Sequence, residues 1–291
     1  MKFLEKNPMI MIVVGILGIS MSAIFVRLSD APSVVTAAAR LLWTVVMLTP
    51  AVFFRRENRK ELQSVGGRMF LLCIISGIFL AVHFVLWFES LQHTSVASST
   101  AIVCTEVIWV SIGYCLFLKG KLSGKAIGCI GITLLGSVLI AFSDSSAGGG
   151  QLYGDILSLL AAIAVAVYTL IGREARKTMT TTIYTYIVYV ACSVTLVGMT
   201  LVQGYGISDF DTRALLVGFL LALFSTILGH SIFSWCLKYF SPSFVSASKL
   251  CEPVAAAVMA VFLFREIPDL MQVAGGAIVI GGVFLYSKIE E

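Results

Sequence analysis

Hydrophobic positions along this chain come in long runs, separated by short segments that hold most of the charges. Ten runs stand out: Pro8–Leu28, Pro32–Phe54, Met69–Ser90, Ser95–Phe117, Lys125–Phe142, Tyr153–Gly172, Thr182–Gln203, Arg213–Lys238, Ser243–Phe264 and Asp269–Ser287. A hydrocarbon core about 30 Å thick and a helical rise of about 1.5 Å per residue call for about 20 apolar residues per crossing. Each run is therefore expected to be one membrane-spanning helix. Ten such spans use most of the chain and leave no room for a separate soluble domain. The first run, from Met9 to Val26, exceeds the about 7–15 apolar residues of a signal-peptide core, and no A-x-A-like cleavage site comes after it. It is expected to be the first retained helix.

Composition agrees with this pattern. The 291 residues are 58% apolar and only 12% charged, with a mean hydropathy of +0.98. Soluble domains run at about 45–50% apolar and about 25% charged. These values disfavour a soluble enzyme, a disordered chain and a nucleic-acid binder, because a soluble fold would leave much apolar surface in water. The net charge of +4 says less than its distribution. If the N-terminus is inside, 15 of the 20 Lys and Arg fall in the two tails and in loops 2–3, 4–5, 6–7 and 8–9. Only Arg27, Arg213 and Arg265 fall on the other side, and Arg40 and Lys249 lie within spans. Cytoplasmic loops carry the excess of Lys and Arg, so both termini are expected in the cytoplasm. Loop Ser143–Gln151, with Asp144 and no Lys or Arg, fits the outer side. The seven cysteines lie in or at the ends of spans without a C-x-x-C pair, so they are read as small apolar fillers. No metal and no cofactor is expected.

The chain repeats itself at one offset. A step of 146 residues carries Glu106 onto Glu252, Arg27 onto Arg173, Lys119 onto Arg265 and Gly136 onto Gly282. His83 and His230, and likewise Phe88 and Trp235, stand 147 apart. Each half is then a five-helix unit, residues 1–146 and 147–291. An odd number of crossings turns the second copy upside down, a common plan among secondary transporters.

The tail of each half carries the most specific pattern. In the second it reads Cys251-Glu252-Pro253, an apolar stretch to Leu263-Phe264-Arg265-Glu266, then a last helix with Gly275, Gly276, Gly281 and Gly282. In the first it reads Thr105-Glu106-Val107, Phe117-Leu118-Lys119-Gly120, then Gly128, Gly131 and Gly136. This resembles the drug/metabolite transporter superfamily, and within it the ten-helix EamA-type transporters, from about Met9 to Ser287. The first half departs from that pattern at Val107, where proline is expected, and at Gly120, where glutamate is expected. The resemblance implies two inverted five-helix repeats around a cavity lined by helices 1, 3, 4, 6, 8 and 9. It implies carriage of amino acids or other small polar metabolites, often outward.

An ionisable side chain at mid-membrane costs about 2.5–3.5 kcal/mol on insertion scales and normally faces protein or water. Arg40, His83, Glu106, His230, Lys249 and Glu252 are all so placed. Glu106 and Glu252, at equivalent positions in the halves, are candidates to bind a cation or proton, or else to bond neighbouring helices. Lys249 and Glu252 share a helix face at a spacing of three, so they are either a self-neutralising pair or a substrate site. Pro253 lacks the N–H that would meet the carbonyl of Lys249, which predicts a kink. Arg40 is expected to pair with Glu106, or alternatively to anchor a substrate carboxylate. His83 and His230 are candidates for proton coupling, or neutral bridges between helices. Trp87 and Trp235, with Tyr168, are candidates to wall the cavity. An aromatic box would suit a quaternary ammonium. The glycines of the fifth and tenth spans let helices approach closely, within one molecule or between two.

The expectation is an all-α integral membrane protein. It has ten transmembrane helices as two inverted five-helix repeats around a central cavity, with cytoplasmic N- and C-termini. It transports a small polar metabolite, first of all an amino acid, by alternating access, in the sense of export, across a bacterial cytoplasmic membrane. The alternatives are import of an organic cation such as choline, an integral-membrane enzyme, and a channel. No H-E-x-x-H or G-x-S-x-G motif supports an enzyme. The expected partners are the substrate, lipid and a coupling proton, and not nucleic acid; monomer and homodimer are both left open.

Overall fold

A computed structural model describes residues 7–94, 96–144, 152–255, 258 and 270–290. Among these residues the chain is all helix and turn, without a strand. The far part of the ninth expected span, the Arg265-Glu266 motif, most of the loop Ser143–Gln151 and the N-terminal Lys2 and Lys6 lie outside the described residues.

In chain order the helices are α1 (Pro8–Ser20), α2 (Ser22–Arg27), α3 (Ser33–Phe53), α4 (Arg56–Ser64), α5 (Gly67–His93), α6 (Val96–Val103), α7 (Glu106–Phe117), α8 (Gly124–Asp144), α9 (Leu152–Ala175) and α10 (Thr181–Val202). Then come α11 (Thr212–Leu220), a π-helical stretch Leu221–Ser231, α12 (Ile232–Cys236), α13 (Pro242–Lys249) and α14 (Leu270–Glu290). Among the described residues, seven helical segments are long and apolar enough to cross a membrane: Pro8–Val26, Ser33–Phe53, Gly67–His93, Ser99–Phe117, Leu152–Ala175, Thr181–Val202 and Thr212–Cys236. The fifth and tenth expected spans fall on α8 and α14, which contain the apolar stretches Gly124–Leu139 and Val273–Ile289.

The outer surface is greasy. Val13, Leu17, Val46, Leu116, Leu135, Val194 and Leu201 are all exposed. In water that surface would drive aggregation, whereas lipid tails are as apolar as leucine. Inside, the buried apolar residues among those described form two clusters. One joins α2, α3, α5, α9, α10 and the π-helical stretch through Phe25, Leu41, Phe84, Val165, Tyr184 and Leu221. The other joins α1, α8, α12, α13 and α14 through Ile16, Ile130, Phe233, Phe244 and Val279.

Close approach sets the geometry. Gly77 brings α5 against α10: a Cβ there would stand 2.5 Å from the carbonyl oxygen of Val188. In α8, a Cβ on Gly136 would meet the carbonyl oxygen of Gly275 at 2.8 Å. A Cβ on Gly282 in α14 would strike Thr133 in turn. These two glycines are related by the sequence repeat, and they serve the same α8–α14 contact. Gly124, Gly128 and Gly131 have nothing within 4 Å of a built Cβ.

Two loops hold more structure than their charges suggest. The second connection forms the polar helix α4, whose Glu61 accepts from the backbone N–H of Thr180 at 2.6 Å and from its hydroxyl at 2.8 Å. Arg173 and Arg176, expected as cytoplasmic loop charges, tie the end of α9 to α12 and to the turn between α12 and α13. Arg173 donates to the carbonyls of Leu237 and of Phe240, and Arg176 donates to that of Ser234 at 3.2 Å. Burial lowers the pKa of Arg176 from its ordinary value.

Candidate functional site

The two helices that carry the glutamates are both broken, and at equivalent places. Between α6 and α7 the helix is interrupted at Cys104 and Thr105; after α13 it is interrupted at Leu250 and Cys251, and it resumes at Glu252. At the first break the Thr105 N–H turns back to the carbonyl of Ile102 at 3.0 Å, and the Thr105 hydroxyl takes the same carbonyl at 2.6 Å. A hydroxyl that competes for backbone carbonyls in this way weakens a helix locally. At the second break the Leu250 and Cys251 N–H groups turn back to Ala247 and Ser248, each at 3.1 Å. Pro253 supplies no N–H to the carbonyl of Lys249, as expected from sequence. The first break needs no proline, so Val107 does not remove it.

Each glutamate thus opens a helical segment, where the dipole favours a carboxylate, and Lys249 closes α13, where it favours a cation. The Lys249 ammonium donates to Oε1 of Glu106 at 2.8 Å, with both side chains buried. This corrects two sequence expectations. Lys249 does not pair with Glu252 on its own helix, because the break between them disrupts the helical face they were expected to share. Arg40 does not pair with Glu106. Its Nε donates to Oγ1 of Thr226 at 2.7 Å, its Nη1 reaches Oγ of Ser22 at 3.5 Å, and its guanidinium lies 4.0 Å over the Phe84 ring.

The histidines do come together. His83 and His230 have ring centroids 6.2 Å apart. Nδ1 of His83 lies 3.0 Å from the carbonyl oxygen of Ala161, an N–H donation that bridges α5 to α9. Its ring stacks on Trp87 at 11°. Tyr168 sits beside His230 with centroids 6.1 Å apart, its hydroxyl 2.7 Å from that of Ser234.

A cavity of about 40 Å³ lies where these groups meet. Arg40, His83, Trp87, Glu106, His230, Lys249 and Glu252 line it, with Ser22 and Ser225. Of the expected site residues, Tyr168 stands just behind His230, and Trp235 is elsewhere. It packs on Tyr239, with centroids 4.4 Å apart, against the second apolar cluster. Like Phe88, 147 residues earlier, Trp235 is not among the residues that line the cavity. No box of two tryptophans forms.

Sequence reasoning missed Ser22, Ser225 and Thr226. The only signal was small polar residues inside apolar runs. The latter two lie in the π stretch, where Thr226 Oγ1 donates to the carbonyl of Leu221, five residues back, at 3.3 Å.

The sequence pattern of the EamA-like transporter family matches residues 6–142 and, a second time, residues 152–288. The chain belongs to the EamA-like transporter family. Among its relatives is an uncharacterized transporter of Archaeoglobus fulgidus, 21% identical over 249 residues, covering 84% of each chain. Another is the pseudopaline exporter CntI of Pseudomonas aeruginosa, 24% identical over 226 residues, covering 76% of each chain. A GDP-fucose transporter of Caenorhabditis elegans is 24% identical over 198 residues, 65% of this chain and 52% of that one. A solved crystal structure superposes with a TM-score of 0.78 at 13% identity, covering 98% of this chain and 97% of the other, which speaks for the fold. This EamA-like transporter therefore gathers Arg40, His83, Glu106, His230, Lys249 and Glu252 around a shared cavity.

Proposed function

We propose that this transporter moves a small polar metabolite, in the first instance an amino acid, out of the cytoplasm across a bacterial plasma membrane by alternating access. In this reading ten helices form two inverted five-helix repeats, residues 1–146 and 147–291, with both termini in the cytoplasm. The observation that carries the reading is the meeting of Glu106, Lys249 and Glu252 in one cavity, at the two symmetric helix breaks. Irregular backbone survives at membrane depth only against protein or a wet cavity, and broken helices at a repeat interface are where transporters bind substrate. The cavity's volume of about 40 Å³ suits water rather than a metabolite, since ligand pockets span about 300–1,000 Å³. Substrate entry thus requires one bundle to rock away from the other.

Import of choline fits less well, because Trp87 is the one tryptophan among the cavity's described lining residues. The relative named as an exporter favours the outward direction. Proton coupling through His83, His230 or a carboxylate belongs to the same proposal. Amino-acid counterflow in proteoliposomes tests it. Glu252→Gln is expected to cut the rate at least about tenfold, since a charge-assisted contact is worth about 1.5–3 kcal/mol. Normal transport by both Glu252→Gln and Lys249→Ala overturns the site. A rate that ignores an imposed pH gradient overturns the coupling.

A further inference from the structure

Three buried donors line the cavity without an acceptor among the described residues: Nη2 of Arg40, Nε1 of Trp87 and Oγ of Ser225. Arg40 is the most telling of them. It is 0% exposed, and its partners are two hydroxyls and an aromatic face rather than a carboxylate. Those contacts fix the plane of the guanidinium and leave Nη2 to the cavity. Buried polar groups nearly always find a partner, and buried charges are paired. Three unmet donors in the lining of one cavity call for an acceptor with more than one oxygen and a negative charge.

The charges choose among such acceptors. Of the four ionic groups on the lining, Lys249 and Glu106 satisfy each other. Arg40 and Glu252 form no ion pair among the described residues. One such cation and one such anion in a shared cavity match a ligand that has one of each. An organic cation leaves Arg40 unmet, and a plain anion leaves Glu252 unmet. We infer that Arg40, Trp87 and Ser225 form a carboxylate subsite, and that the substrate is a zwitterion whose carboxylate binds there while its ammonium binds Glu252. This deepens the proposed function and rests on it. The π stretch is part of the device, since it carries Ser225 beside Thr226, the residue that orients Arg40.

The test is binding to the purified full-length protein, read by thermal shift. The twenty common L-amino acids are titrated first. For each one that stabilises the protein, its amide removes the carboxylate charge and its 2-hydroxy acid removes the ammonium. The acid is expected to bind at least about tenfold tighter than its amide, as a charge-assisted bond predicts. Arg40→Gln is expected to abolish that preference. Trp87→Phe and Ser225→Ala remove one donor each without a change of charge, and are expected to reduce the preference about two- to tenfold. They carry the test if Arg40→Gln fails to fold by size-exclusion profile. Equal binding of acid and amide by the wild type overturns the carboxylate subsite, as does an unchanged preference in every folded variant. Equal binding of the 2-hydroxy acid overturns the role of Glu252 alone. If no amino acid stabilises the protein, the amino-acid reading of the proposed function falls first, and the subsite with it.

Discussion

Lys249 shows how a single charge is tolerated in a buried setting. It ends one half-helix, meets the carboxylate that begins another at 2.8 Å, and lies 5.5 Å over the Phe233 ring. Each contact offsets part of the cost of leaving water. Loss of one partner from such a pair leaves the other charge stranded, at about 3–5 kcal/mol, whereas replacement of both by apolar groups is often neutral. Lys249→Met is therefore expected to destabilise the purified protein by about that amount in an unfolding titration. Lys249→Met combined with Glu106→Leu is expected to recover most of the loss while transport stays abolished. Additive effects of the two substitutions would contradict the pairing. The burial of these residues was legible in the sequence, because a lone charge in an apolar run is visible in one dimension. Their partners were not. Lys249 and Glu106 are 143 residues apart, Arg40 and Thr226 are 186 apart, and the sequence offered other candidates for each.

At the scale of elements, the same few devices recur in both halves. Each half interrupts a helix just before a glutamate, once with a threonine hydroxyl and once with a proline two residues on. The break is thus a property of the position in the fold, and proline is only one way to make it. Helices α8 and α14 likewise approach through glycines related by the repeat. Gly136→Leu would drive a side chain into the backbone of α14 and is expected to cost about 1–3 kcal/mol, as overpacking does. Gly128→Leu, with open space around it, is expected to change stability by less than about 0.5 kcal/mol. Equal losses from the two would mean that the α8–α14 contact does not limit stability. The π stretch left no such trace, because a wider helical turn changes which side chains face inward without changing the hydrophobicity of the run.

For the whole molecule, the proposed topology places the second connection inside and the loop after the fifth span outside. Lys60→Cys and Gly148→Cys, on a background with the exposed Cys115 replaced, are expected to be protected from and open to an impermeant thiol reagent, respectively, in intact cells. Labelling of both from one side overturns the inverted repeat. The family and the helical character were determined by sequence alone. The helical character rests on run length against bilayer thickness and the family on the motifs around Glu106 and Glu252, and both are properties of the chain read in order. The tertiary structure decided which buried charges neutralise each other, which aromatic turns away from the cavity, and which loop arginines become clasps. Those outcomes depend on how the helices pack and where their ladders break, and residues far apart in the chain meet only when that packing is complete.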